Sequence, residues 1–121
     1  MICRLEDFFT DPIPKHIKSV IKGVLGKEFD EGQFYSSFEL DAENDLFKQG
    51  SDIKSGICIG QDGGGEYLFI DNVKDTYILY SLINGYQGHR KDYTLIFEIN
   101  EQDTPATFIE RINQYYNILY S

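Results

Sequence analysis

Ile57-Cys58-Ile59-Gly60-Gln61-Asp62-Gly63-Gly64-Gly65-Glu66-Tyr67-Leu68-Phe69-Ile70-Asp71 is the stretch that decides how this chain folds. Two apolar runs of β-type residues flank Gln61, Asp62 and three successive glycines. Glycine loses more backbone freedom on folding than any other residue. Gly63, Gly64 and Gly65 therefore mark a backbone that takes positive φ or approaches another group closely. Between two such runs they join or kink a pair of strands, so a structural role is expected of them.

Working outward, Thr76 to Ile83 and Tyr93 to Ile99 read as further strands. Asp71-Asn72-Val73-Lys74-Asp75 reads as a turn, and Asn84 to Asp92, with Gly85 and Gly88, as a longer exposed loop. Short links between consecutive strands favour an antiparallel meander. Upstream, Ile13, Ile17, Val20, Ile21 and Val24 recur at helical spacing. Asp11 suits the cap of that helix, Pro12 its first turn and Gly26 its end. In residues 33 to 40, Phe34, Phe38 and Leu40 alternate with polar residues, which predicts a half-buried strand. Asp41 to Gln49 then predicts a short helix with Ala42, Leu46 and Phe47 turned inward. Near the C-terminus Thr104 suits a cap and Pro105 a first helical position. Phe108, Ile112, Tyr115, Tyr116 and Leu119 follow as an apolar stripe. The expected fold is α+β: an antiparallel sheet of about four to six strands, with an N-terminal and a C-terminal helix packed on one face or end.

A length of 121 residues suits one domain, 1–121, with a core of its own. Cys3 and Cys58 lie in unlike contexts, so two reduced thiols are expected rather than a disulfide framework. Residues 1 to 10 include Glu6 and Asp7 and lack the pattern of a signal peptide. No apolar run approaches the roughly 20 residues of a membrane helix. The expected setting is cytoplasmic, with no membrane partner.

The formal net charge of −9 is unevenly placed. Residues 28 to 75 carry twelve acids against three lysines and account for all of it. That surface disfavours nucleic acid and suits a basic protein. Solubility alone explains it equally well.

Signals for chemistry are weak. His16 lies among lysines and His89 beside Arg90 and Lys91, neither in a spacing that suits zinc. Cys58 in an apolar run reads as an inert thiol. Asp62, Glu66, Asp71 and Asp75 lack the alternation and closing Glu of a calcium loop. The glycine run lacks the Lys-Ser/Thr ending of a phosphate-binding loop, and Glu66 would repel phosphate. No cofactor, metal or catalytic residue is expected.

The segment from Ile57 to Asp71 resembles the central motif of the SUKH superfamily, in which an apolar strand ending in Ile-Gly leads through a polar pair and glycines to an aromatic-rich strand ending near Asp. Thr76-Tyr77-Ile78-Leu79-Tyr80 resembles that family's next strand, and Phe108-Ile109-Glu110-Arg111-Ile112 its closing helix. The Trp often found before the motif is absent, as are the early Leu-Pro and Asn-Gly landmarks, with Ile13-Pro14 as a candidate stand-in for Leu-Pro. The resemblance spans about residues 53 to 119. It implies a binding module. The family includes a fungal cell-wall assembly regulator and bacterial immunity proteins that neutralise cognate toxins, often nucleases. An acidic surface facing a basic toxin would speed and orient association.

Two readings follow. One is an immunity-type protein, not an enzyme, that binds a cognate protein toxin, with a regulatory protein-binding scaffold as its close variant. The other is a small carboxylate-dependent enzyme. For the first, Asp41, Glu43 and Asp45 form one candidate partner-binding patch and Asp62 and Glu66 a second. Asp71 and Asp75 add charge, and Tyr67 and Tyr77 are candidate aromatic anchors, with Tyr35, Tyr86 and Tyr93 as further aromatics.

Overall fold

The four apolar runs that follow residue 56 become strands β3 (Ile57–Asp62), β4 (Tyr67–Val73), β5 (Thr76–Leu82) and β6 (Tyr93–Glu98) in a computed structural model describing residues 5–9, 12–50, 55–82 and 93–120. Two short strands, β1 (Glu28–Phe29) and β2 (Gly32–Phe34), precede them. The six pair antiparallel in chain order, the meander that short links favour. A 3-10 turn (Leu5–Phe8) and helices α1 (Lys15–Val24), α2 (Ser37–Gly50) and α3 (Pro105–Leu119) complete the α+β fold. Cys3, Asp11, Tyr86, His89 and the loop at 84–92 lie outside the described residues.

Central strands explain the apolar runs. Ile57, Cys58 and Ile59 in β3 and Leu68, Phe69 and Ile70 in β4 are all fully buried. Neighbouring strand residues face opposite sides, so both faces of the sheet are covered here. On one face Phe47 of α2 packs against Phe69, with ring centroids 5.6 Å apart. On the other, Ile70 pairs with Leu79 and Leu79 with Phe97, and Phe97 meets Phe108 of α3 edge-on at 5.5 Å. Helix α3, packed with α1, thus covers one face as expected of the N- and C-terminal helices, and α2 covers the other.

Helix α1 buries Ile17, Val20, Ile21 and Val24, the stripe expected of it. Its cap differs: Pro14 holds the N-cap position with no side-chain hydrogen bond, and Pro12 precedes the helix. Gly26 takes φ +78° just beyond its end. Helix α3 is capped as the sequence predicts. The Thr107 N–H donates to Thr104 Oγ1 at 3.2 Å, and the Thr104 N–H donates to Thr107 Oγ1 at 2.8 Å. Phe108, Ile112 and Tyr116 are buried, whereas Leu119 is exposed.

The strand expected over residues 33 to 40 is corrected. It ends at Phe34, and α2 begins at Ser37. Ser36 and Glu39 form the reciprocal cap that starts a helix: the Ser36 N–H donates to Glu39 Oε1 at 2.9 Å and the Glu39 N–H to Ser36 Oγ at 3.3 Å. Helical spacing then buries Leu40, Asn44 and Phe47, while Phe38, Ala42 and Leu46 face outward. Buried Asn44 substitutes for a neighbouring strand. Its Nδ2 donates to the Cys58 carbonyl at 2.9 Å, and its Oδ1 accepts from the Cys58 N–H at 2.7 Å. Without it the Cys58 backbone would lose both partners in the core.

Candidate functional site

Asp62 ends β3 with its carboxylate turned inward, 4% exposed. Its Oδ1 accepts from the N–H groups of Gly64 at 2.9 Å and Glu66 at 3.0 Å. Its Oδ2 accepts from the Tyr116 hydroxyl of α3 at 2.7 Å. One buried carboxylate therefore shapes the glycine turn and ties it to a helix, each bond strengthened by the charge. Gly65 takes φ +87°, so the positive φ expected within the glycine run is present.

The adjoining β1–β2 turn joins this end of the sheet. The Gly63 N–H donates to the Glu31 carbonyl at 2.7 Å, and the Asp30 N–H donates to Asn113 Oδ1 of α3 at 2.8 Å. Two hairpin turns and the last turns of α3 thus form one surface. It carries Glu31 and Glu110, both exposed, and half-buried Glu66. Half-buried Tyr115 and exposed Tyr120 lie among them, with Tyr120 stacked on Tyr116 at 6.0 Å. A recess of about 350 Å³ runs between Asp30, Glu31, Glu110, Asn113 and Tyr116, with no basic residue in its lining.

The carboxylates leave an electrostatic mark on their neighbours. Burial, then the adjacent Asp62, pushes the Glu66 carboxyl above its usual range. Burial and then the hydrogen bond to Asp62 hold the Tyr116 phenol well above the ordinary value. Tyr115 is raised by burial and then by Glu66, and Tyr120 by desolvation and then by Asp62, Glu31 and Glu66. The secondary contribution of Glu66, Asp62 and Glu31 to these shifts sets Tyr115 and Tyr120 among negative charges, which favour an incoming cation.

The other expected residues scatter. Asp75 sits in the β4–β5 hairpin, at the opposite end of the sheet from the glycine turn. Asp71 is buried, its Oδ1 accepting from the Ser55 hydroxyl and the Asn72 N–H, each at 2.8 Å. Tyr77 is buried against Phe9 at 5.4 Å. Asp62, Asp71 and Tyr77 thus do not present their side chains to a partner, whereas Tyr67 is half-buried. Asp41 and Asp45 share one stripe of α2, and Glu43 points elsewhere, because a helix turns residues two apart to different sides. Tyr35 is buried, with its hydroxyl donating to Gln61 Oε1 at 3.2 Å. The side chain of Tyr93 lies outside the described residues. Cys58 is buried, and burial pushes its thiol up to about 12, which suits an inert core residue.

Sequence reading missed Glu31, Glu110 and Tyr120 as site residues and took Tyr115 for core. The signals were the acids Glu28, Asp30 and Glu31 and Tyr120, which follows the α3 stripe. Among the described residues no group of three His, Cys, Asp or Glu is placed to hold a metal ion. No helix among them is long and apolar enough to cross a membrane. Comparison with known proteins found no matching family model, no matching curated protein and no matching solved structure.

Proposed function

We propose that this chain is an immunity-type protein that binds and neutralises a cognate basic toxin domain in the cytoplasm. The observation that carries this reading is the convergence of Glu31, Glu66 and Glu110 with Tyr115 and Tyr120 at one end of the sheet. The net charge of −9 and the SUKH-like stretch from Ile57 to Asp71 support it. A basic domain, such as a nuclease that must hold a phosphate backbone, is steered to such a surface. Tyrosines offer large, rigid contact area among the carboxylates. The enzyme reading would rest on Asp62 and Glu66. Asp62 has both oxygens engaged by hydrogen bonds and is buried, which suits a structural carboxylate better than a catalytic one.

Reading the neighbouring coding sequences and co-expressing this chain with any toxin domain they encode is the direct test. Growth should be rescued, and the two proteins should co-purify as a complex. Toxicity unchanged by this chain, with no complex detectable at micromolar concentrations, would refute the reading.

A further inference from the structure

Away from the acidic surface, a groove of about 650 Å³ opens between the end of α1 and the start of α2. Leu5, Leu25, Phe38 and Leu40 supply its apolar walls, and Lys22, Ser36 and Ser37 its polar groups. Phe38 is 84% exposed at its edge, a position that neither core packing nor the helix cap explains. Among the described residues no carboxylate lines the groove, although the chain carries twenty acids against eleven bases. Glu39, which follows Phe38 in α2, is engaged elsewhere, accepting the Ser36 N–H. Lys22 forms no ion pair among the described residues. A volume of this size with mostly apolar walls and few polar groups is typical of a small-molecule site.

Its chemistry selects among occupants. A second copy would bring another net −9 against this one. A neutral apolar ligand would make no use of the exposed Lys22 ammonium at the groove. An amphipathic anion uses both features, because its tail covers Phe38 and Leu25 and its head meets the ammonium. We propose that the groove binds a small straight-chain carboxylic acid, with the acyl chain along Leu5, Leu25 and Phe38 and the carboxylate at Lys22 and the Ser37 hydroxyl. This site is separate from the surface assigned to the protein partner and does not depend on that assignment.

Decanoate is the probe, titrated below its micelle concentration into the full chain and followed by backbone amide NMR. Saturable shifts should centre on Leu25, Gly26, Ser37 and Phe38. Lys22→Gln should weaken decanoate about tenfold, as expected for loss of a charge-assisted contact, and leave the weaker binding of decanol unchanged. Ser37→Trp should block the groove to both ligands. Lys22 and Ser37 are exposed, so thermal melts should show both variants folded. The proposal is overturned by shifts spread over apolar residues elsewhere, by equal decanoate affinity in wild type and Lys22→Gln, or by decanol binding as tightly as decanoate. That last result would mark a cleft for apolar protein side chains instead.

Discussion

Glu66 stands half-buried beside Asp62, and only a protonated Glu66 can share a hydrogen bond with that carboxylate. Its folded pKa therefore lies above the ordinary value of 4.5, raised by burial first and by Asp62 second. Between the unfolded and folded values the native state binds more protons than the unfolded one. Stability then falls as pH rises through that window, and the penalty persists above it. Removing the charge should remove the penalty. Glu66→Gln should raise the urea midpoint at pH 7, modestly because the side chain is partly solvated. The gain should shrink as pH drops below the unfolded value. A gain that grows towards low pH would contradict this assignment. Residue identity alone marked Glu66 as exposed turn charge. Its coupling to Asp62 depends on a carboxylate four residues away being folded inward, which only the Gly64 and Glu66 N–H bonds bring about.

Among the elements, the glycine-bearing β3–β4 hairpin divides its glycines by task. Gly60 lies within β3, where an added Cβ would sit 2.4 Å from the Gln33 carbonyl oxygen. Gly65 has open space around it but φ +87°. Gly63 and Gly64 would meet only ordinary contacts at 3.5 and 3.4 Å. Gly60→Ala should thus cost about 3 kcal/mol as overpacking against backbone. Gly65→Ala should cost about 1–2 kcal/mol for a left-handed backbone. Gly63→Ala and Gly64→Ala should stay within about 0.5 kcal/mol, as at ordinary surface sites. Urea midpoints of the four variants give the ranking, and equal values would remove the distinction. The run at 63–65 was legible as a turn, but the hairpin glycine with least room, Gly60, lies outside it. Close approach between β2 and β3 is a property of pairing, so local sequence does not announce it. Helix α2 shows the same limit. Phe34, Phe38 and Leu40 fit a strand by alternation, while Leu40, Asn44 and Phe47 fit a helix through a buried asparagine that hydropathy does not count as inward.

For the molecule as a whole, charge placement should govern how fast a basic partner arrives. Glu31→Lys, Glu66→Lys and Glu110→Lys together should slow association by about tenfold or more at low ionic strength, with a smaller effect at high salt. Asp41→Lys with Asp45→Lys, on the α2 stripe, should slow it less. Stopped-flow rates with the cognate domain decide between them. Rates indifferent to salt and to both sets would remove electrostatic steering and leave tyrosine contacts as the basis of binding. Sequence by itself determined the α+β class, the meander, the capped C-terminal helix and the acidic middle, because turn chemistry, apolar periodicity and charge are local properties. Tertiary structure decided that helices cover both faces of the sheet. It also decided that Asp62 and Asp71 are internal, that Glu31 shares a recess with Glu110, and that Glu66 lies near Tyr115 and Tyr120. Those facts join residues up to 89 positions apart, such as Glu31 and Tyr120, and pairing and packing alone set such distances.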